Sequence, residues 1–306
     1  MSVYVITGGA GFIGSHLAES LIAQGHEVRV LDDFSTGVAA NVPADVRCVR
    51  ADVADEAALD GMMAGADGCF HLAAIASVQR ANEDWAGTHR VNQGGTVAVL
   101  DAARRAGKIP VVYASSAAVY GDLAGATATE ASPCAPQTAY GADKRGSELH
   151  AAIAWPVHAV PTFGLRLFNV YGKRQDPSSP YSGVISIFAD RIGSGQPVAL
   201  HGDGSQTRDF VHVSDVVAHF DAAMQKLHRA PGAYVANVCT GRETSIRALA
   251  ELIGGIAGTP PRLSYDAART GDIRRSVGDP AFAIQTLGVT AATTLDSGLR
   301  GLLGRI

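Results

Sequence analysis

Cysteine is scarce in this chain of 306 residues: four thiols, at positions 48, 69, 134 and 239, with no CxxC pair and no metal-ligand spacing. That argues against a disulfide framework or a zinc ribbon, and the thiols read as reduced and mostly packed. The ten histidines are scattered without an HExxH, so no metal is expected. Excess charge is lacking too. A formal net charge of -4 with 18% charged residues makes no broad cationic field, which argues against nucleic acid as a partner. No apolar run reaches the roughly 18 residues that a membrane-spanning helix needs. The first residues read directly as a strand and leave no signal peptide, so the expected location is the cytoplasm. What is present is 47% hydrophobic residues, ample for a large core and unlike a disordered chain.

Strands and helices alternate along the first half. The pattern predicts strands at 3–6, 28–31, 47–50, 69–72, 111–114 and 162–167. Between them it predicts helices at 12–24, 56–64, 85–106 and 140–154, the last stopped by Trp155-Pro156. Such alternation implies an α/β chain with a parallel, doubly wound sheet. Beyond Tyr171 the pattern loosens into a long loop and a helix near 184–192, and glycine and proline stay dense. This predicts a smaller, partly interleaved lobe. Residues 1–170, joined by about 208–238, would form the Rossmann domain, with 171–207 and 239–306 as the second lobe.

The turn Gly8-Gly9-Ala10-Gly11-Phe12-Ile13-Gly14 follows a strand and opens a helix. Glycines also end strands, so the turn alone says little. Asp32 strengthens it, standing at the end of the second strand, 18 residues after Gly14. That context seats a pyrophosphate on backbone N–H groups at the helix N-terminus. The Asp32 carboxylate would accept from ribose hydroxyls and repel a 2′-phosphate, which favours NAD over NADP. Asp52-Val53 reads either as an adenine contact or as plain loop.

Tyr140 and Lys144 stand one helical turn apart, 24 residues after Ser116. A lone YxxxK reads as a surface helix pair more readily than as a site. Here Ser116 ends a strand, at the edge where such sheets bind ligands. An ammonium beside a phenol favours the phenolate, making a base well below the ordinary pKa of about 10. The roles follow: Ser116 orients the substrate oxygen, Tyr140 moves the proton, Lys144 lowers the phenol and holds the nicotinamide ribose.

These segments, with His71-Leu72-Ala73-Ala74, Ser115-Ser116-Ala117-Ala118-Val119-Tyr120-Gly121, Leu165-Arg166-Leu167-Phe168-Asn169-Val170-Tyr171-Gly172 and Arg208-Asp209-Phe210-Val211-His212-Val213, resemble the extended short-chain dehydrogenase/reductases over nearly the whole chain. Within them the chain is most similar to nucleotide-sugar 4-epimerases. The resemblance implies that a UDP-sugar is oxidised at C4 by hydride exchange with tightly held NAD, turned over as a 4-keto sugar, and reduced on its other face. It extends the cofactor contacts to Gly8, Gly11, Phe12, Ile13, Gly14, Asp32, Asp33, Thr36, Gly37, Asp52, Val53, Leu72, Ala73, Ala74 and Phe168, beside Tyr140 and Lys144. It places Asn169, Arg208 and Arg269 at the diphosphate and Asp272 near the sugar or an arginine. Val184, Ala199 and His201 join the substrate contacts, with the 198–202 backbone edging a base expected to be uracil. Related dehydratases carry an acidic pair where this chain has Ala117 and Ala118, which disfavours elimination.

Ser276 aligns with the family's gatekeeper, where a bulky tyrosine restricts the enzyme to non-acetylated sugars. Serine predicts that UDP-N-acetylhexosamines are accepted beside UDP-hexoses, though it reads equally as a loop residue. Arg274 and Arg275 leave a uronic acid open. The resemblance also implies a homodimer through helices 85–106 and 140–154. The remaining rivals are a decarboxylase or 4-keto-sugar reductase on the same scaffold, and a non-catalytic NAD sensor.

Overall fold

The computed structural model describes residues 1–175, 183–267 and 273–304. In chain order the elements of the first half are β1 (Val3–Thr7), α1 (Phe12–Ala23), β2 (Glu27–Asp32), β3 (Arg47–Arg50), α2 (Glu56–Met63), β4 (Gly68–His71), α3 (Val78–Glu83), α4 (Trp85–His89), α5 (Gly95–Arg105), β5 (Val111–Ser116), α6 (Ala139–His158), β6 (Thr162–Leu167) and β7 (Asn169–Tyr171). The second half adds α7 (Val184–Gly193), β8 (Val198–His201), β9 (Thr207–His212), α8 (Val213–Arg229), β10 (Ala233–Val238), β11 (Glu243–Ser245), α9 (Ile246–Ala257), β12 (Leu263–Asp266), β13 (Arg275–Ser276), α10 (Ala281–Leu287) and α11 (Leu295–Leu302).

Seven strands form one parallel sheet in the order β10-β6-β5-β4-β1-β2-β3. The alternation of β1 explains its two covered faces. Tyr4 and Ile6 enter a core with α1 and α8, while Val5 enters a second core with α2, α5 and α6. The order reverses at β1, which pairs with β2 on one side and β4 on the other. Crevices at such reversals, beyond the carboxyl ends of the strands, are where open α/β sheets take ligands.

The chain re-enters this sheet at β10. β9, which begins near the expected return at 208, lies instead in a four-stranded sheet ordered β11-β9-β13, with β7 also on β9. β8 and β12 pair separately. A third core of α7, α9 and α11 residues, among them Ile185, Phe188, Leu249, Ile253 and Leu299, supports these smaller sheets.

Two helix expectations need correction. Pro156 does not stop α6, which runs to His158 and ends with Ala159 in the left-handed region at φ 55°. A proline so near the end forfeits one late hydrogen bond, and α6 keeps its packing on α5, β5, β6 and β10. The single helix expected at 85–106 is α4 and α5 joined by a π-type turn at Arg90–Gly94.

Candidate active site

Glycine at position 8 follows from the reversal in strand order. Its φ is +73°, and a Cβ there would sit 2.6 Å from the backbone nitrogen of Ala73, in the loop after β4. A Cβ on Gly14 would collide with the Gly8 carbonyl oxygen. The turn therefore closes tightly and delivers the start of α1 to the crevice. Asp32 is buried beside it: Oδ2 accepts from Ala10 N at 2.9 Å and Oδ1 from Phe34 N at 2.8 Å. Burial raises its carboxyl above the ordinary value, against the lowering pull of those two bonds. Each oxygen keeps a lone pair for a further donor.

These groups open on a cavity of about 580 Å³. It is lined by Gly8, Gly11, Phe12, Ile13, Gly14, Asp32, Asp33, Thr36, Gly37, Asp52, Val53, Leu72, Ala73, Ala74 and Phe168, together with Ser116, Tyr140, Lys144 and Asn169. All the residues expected around a dinucleotide thus face one space.

The proton-handling candidates come from two elements. β5 ends at Ser116, whose Oγ accepts from Ala118 N at 3.1 Å. Thr138 caps α6 by accepting from Gly141 N, which fixes the first turn carrying Tyr140. Lys144 is 4% exposed and its Nζ donates to the Ala114 carbonyl at 2.8 Å. The same nitrogen lies 5.8 Å from the centre of the Tyr140 ring. Burial pushes Lys144 down to about 8, opposed by the charge of Asp143. Tyr140 departs from expectation. Burial raises its phenol and a hydrogen bond with Ser116 lowers it, with a net upward shift. The physical reason is burial, which the Ser116 bond only partly offsets, while the Lys144 ammonium is bonded to the Ala114 carbonyl.

The substrate-side candidates divide. Asn169 lines the cavity, and Val184 follows Gly183, which also lines it. Ala199 and His201 lie on β8, Arg208 on β9 and Ser276 on β13, off the cavity wall. Register nevertheless sets Ser276 directly beside Arg208, whose guanidinium donates to the carbonyls of Thr207 and Ile273. Arg269 and Asp272 lie outside the described residues. Arg275 is engaged elsewhere, 2.7 Å from Glu243 and donating to Gly125 O and Thr127 Oγ1. That leaves it poorly placed to meet a sugar carboxylate.

Other contributors escape sequence reasoning. Asn92, in the π turn, accepts from Ile75 N at 2.7 Å and donates to Ile75 O at 3.1 Å, pinning the loop after β4. His71 bonds Thr7 at 2.8 Å and Thr96 at 3.1 Å, and burial, with the Lys144 charge, lowers it to about 3, so it is neutral. Arg80, Asp84 and Arg90 also line the cavity. Arg90 fell inside the segment read as one long helix, and Arg80 and Asp84 lie just before it, where the sequence pattern assigned no element. Among the described residues no group of three or more histidine, cysteine, aspartate or glutamate side chains could hold a metal, and no helix is long and apolar enough to cross a membrane.

Residues 4–239 match the model of the NAD dependent epimerase/dehydratase family. A UDP-glucose 4-epimerase of Mycolicibacterium smegmatis is 38% identical over 303 residues, covering 96% of this chain and 95% of its own. The crystal structure of a UDP-glucose 4-epimerase from Thermotoga maritima with UDP-glucose superposes with a TM-score of 0.94 at 31% identity, covering 99% and 98% of the two chains. A UDP-N-acetylglucosamine 4-epimerase from Methanobrevibacter ruminantium, in complex with UDP-N-acetylmuramic acid, gives 0.93 at 29% identity, covering 99% and 97%. The chain belongs to the NAD dependent epimerase/dehydratase family, and NAD is its cofactor. The cavity suits it: a glycine turn closed to any Cβ, a helix N-terminus and a buried carboxylate stand in the order a dinucleotide needs.

Proposed function

We propose that this family member is a UDP-sugar 4-epimerase that inverts C4 of UDP-hexoses and UDP-N-acetylhexosamines. The observation that carries the reading is convergence. Ser116, Tyr140 and Lys144 open on the same cavity as the Gly8–Gly14 turn and Asp32. A sugar carbinol held by Ser116 would therefore lie between a phenol and the nicotinamide.

Bound NAD, held by the Gly8–Gly14 turn and Asp32, would supply the two-electron acceptor for a C4 hydride and the donor for its return. Everything else falls to the chain. The Ser116 hydroxyl orients the C4 oxygen and hydrogen-bonds the phenol, favouring its anion. Tyr140 removes the hydroxyl proton as a general base, and returns it after the 4-keto sugar has turned its other face. Lys144 supplies positive charge near the ring. Ala117 and Ala118, in the turn after β5, carry no group that could transfer a proton for elimination.

For the sugar, the supporting features are Ser276 beside Arg208 and the small volume of a serine where bulk would exclude an N-acetyl group. Arg208, Asn169 and Arg269 are assigned to the diphosphate, where a guanidinium fork suits paired oxygens. Leu149, Ile153 and Val157 form an exposed apolar stripe at four-residue spacing along α6, at 51%, 52% and 64% exposure, with Trp85 and Val97 also exposed on α4 and α5. We assign this face to a second copy of the chain.

The test is incubation of the purified protein with UDP-glucose, UDP-galactose, UDP-N-acetylglucosamine and UDP-N-acetylgalactosamine, without added cofactor, followed by resolution of the C4 epimers. Interconversion within each pair is expected. A protein that holds NAD and leaves C4 unchanged in every sugar is not an epimerase. Turnover of UDP-glucose alone would overturn the role given to Ser276.

A further inference from the structure

Asp143 precedes Lys144 on α6, and both residues are buried, at 3% and 4% exposure. A carboxylate in the interior is costly unless a donor or a cation meets it. Its Oδ1 lies 2.7 Å from His89 Nδ1 on α4, and because a carboxylate only accepts, Nδ1 carries the proton. Oδ2 is buried with no hydrogen-bond partner among the described residues. Lys144, in turn, donates to a neutral carbonyl and has no ion pair of its own among the described residues. A buried carboxylate with one bare oxygen and a buried ammonium with no salt-bridge partner thus share one turn of helix.

We propose that Asp143 is a positioning residue for the reaction: anchored by His89, its carboxylate is the counter-charge that keeps the Lys144 ammonium protonated inside the cleft. This rests on the reading of Tyr140 and Lys144 as the proton-handling pair. Acting through Lys144, Asp143 need touch neither substrate nor cofactor.

The surroundings leave this task to Asp143. His71, facing Lys144 from β4, is neutral and bonded through both ring nitrogens to Thr7 and Thr96. Tyr140 on α6 carries no charge while protonated. One turn further along, Glu148 is taken by Arg145 and by Arg166 of β6. Arg80 of α3 and Arg90 of the π turn line the cavity and add positive charge, and Glu83 is the acidic group of α3. Asp32, Asp33, Asp52 and Asp84 also line the cavity, but the carboxylate whose charge acts on Lys144 is that of Asp143. Thr96 of α5, Asn237 of β10 and the Ala117–Val119 turn bring no charge. Burial pulls the lysine down and Asp143 pulls it back up.

The ammonium is lost as pH rises through its pKa, so removing the Asp143 charge moves that loss to lower pH. In the NAD-bound Asp143→Asn enzyme the deficit in kcat should therefore grow with pH, reaching about tenfold at the alkaline end for a one-unit shift. A merely structural defect would depress kcat equally at every pH. The second readout is independent of turnover: the Lys144 ε-carbon resonance of 13C-lysine-labelled protein, assigned through Lys144→Arg, should titrate at lower pH in Asp143→Asn. His89→Ala, a change at an exposed side chain, admits water to Oδ1 and should move the same midpoint less far in the same direction. It decides the matter if Asp143→Asn fails to fold. A Lys144 midpoint unmoved in the folded variants overturns the proposal. A wild-type protein inactive on every UDP-sugar would sink the epimerase reading instead, and the resonance would still decide the role of Asp143.

Discussion

A phenol that burial pushes upward needs help to ionise near neutrality, and Ser116 provides the hydrogen bond that favours the anion. Removing that hydroxyl in Ser116→Ala leaves desolvation unopposed, so the phenol rises further. The active phenolate is then populated only at higher pH. The acid limb of a kcat–pH profile should move alkaline in this variant, and a limb that stays put would mean the serine only orients substrate. Tyr140→Phe removes the proton carrier altogether. Its kcat should fall by about 10³-fold, within the range of general acid–base catalysis, while NAD released on denaturation matches wild type. A different residue pair carries stability. Glu148 and Arg166 are buried ion-pair partners, with Ser115 and Tyr120 completing their bonds. Burial would raise Glu148, but the Arg166 hydrogen bond and charge outweigh it and hold the carboxyl below its ordinary value. Its contribution is therefore full above the unfolded pKa and fades as pH falls through the lower folded one. Arg166→Met leaves the carboxylate buried with its principal partner gone and should cost about 3–5 kcal/mol in denaturant unfolding at neutral pH.

Among the elements, the opening βαβ unit was the most legible part of the sequence. The first strand, the glycine turn and Asp32 each carry their own signal, and the pyrophosphate seat and ribose contact followed from them. The outer contacts, such as Thr36, Ala73 and Phe168, came only with the family resemblance. The turn is also the least tolerant. Gly14→Ala would drive a methyl into the Gly8 carbonyl, so the unit must open or shift, and the variant should lose NAD on gel filtration. The same reading failed where an element has no sequence period of its own. β13 is two residues long and β11 three, too short for alternation to appear, and their place beside β9 is set by tertiary contact alone. Pro156 was misjudged because breaker rules describe helix interiors, whereas here the residue sits in the last turn of α6. The break between α4 and α5 is a π turn, which leaves the apolar spacing nearly intact while swinging Asn92 onto Ile75. At the site, the three residues singled out by spacing, Ser116, Tyr140 and Lys144, all line the one cavity. Spacing could not foresee that the lysine would be spent on Ala114, since nothing in it says where a flexible amine points.

At the scale of the whole molecule, the exposed stripe of Leu149, Ile153 and Val157 is the feature a second copy would cover. Sedimentation should therefore show a dimer, and Ile153→Asp, which plants a charge mid-stripe, should yield a monomer with its far-UV spectrum intact. A monomeric wild type would remove that assignment and leave the cleft chemistry untouched.

The larger sheet is finished late: β10 pairs along the outer edge of β6 from a position some seventy residues downstream. While the ribosome is still making α7 through α8, every earlier strand is already available, yet β6 presents an open row of amides and carbonyls. The nascent chain thus passes through an interval in which its own missing border is the template most exposed to a neighbour on the same messenger. Polysomes slowed while β6 is clear of the ribosomal tunnel and β10 is still inside it should shed more aggregate than polysomes slowed after β10 has emerged.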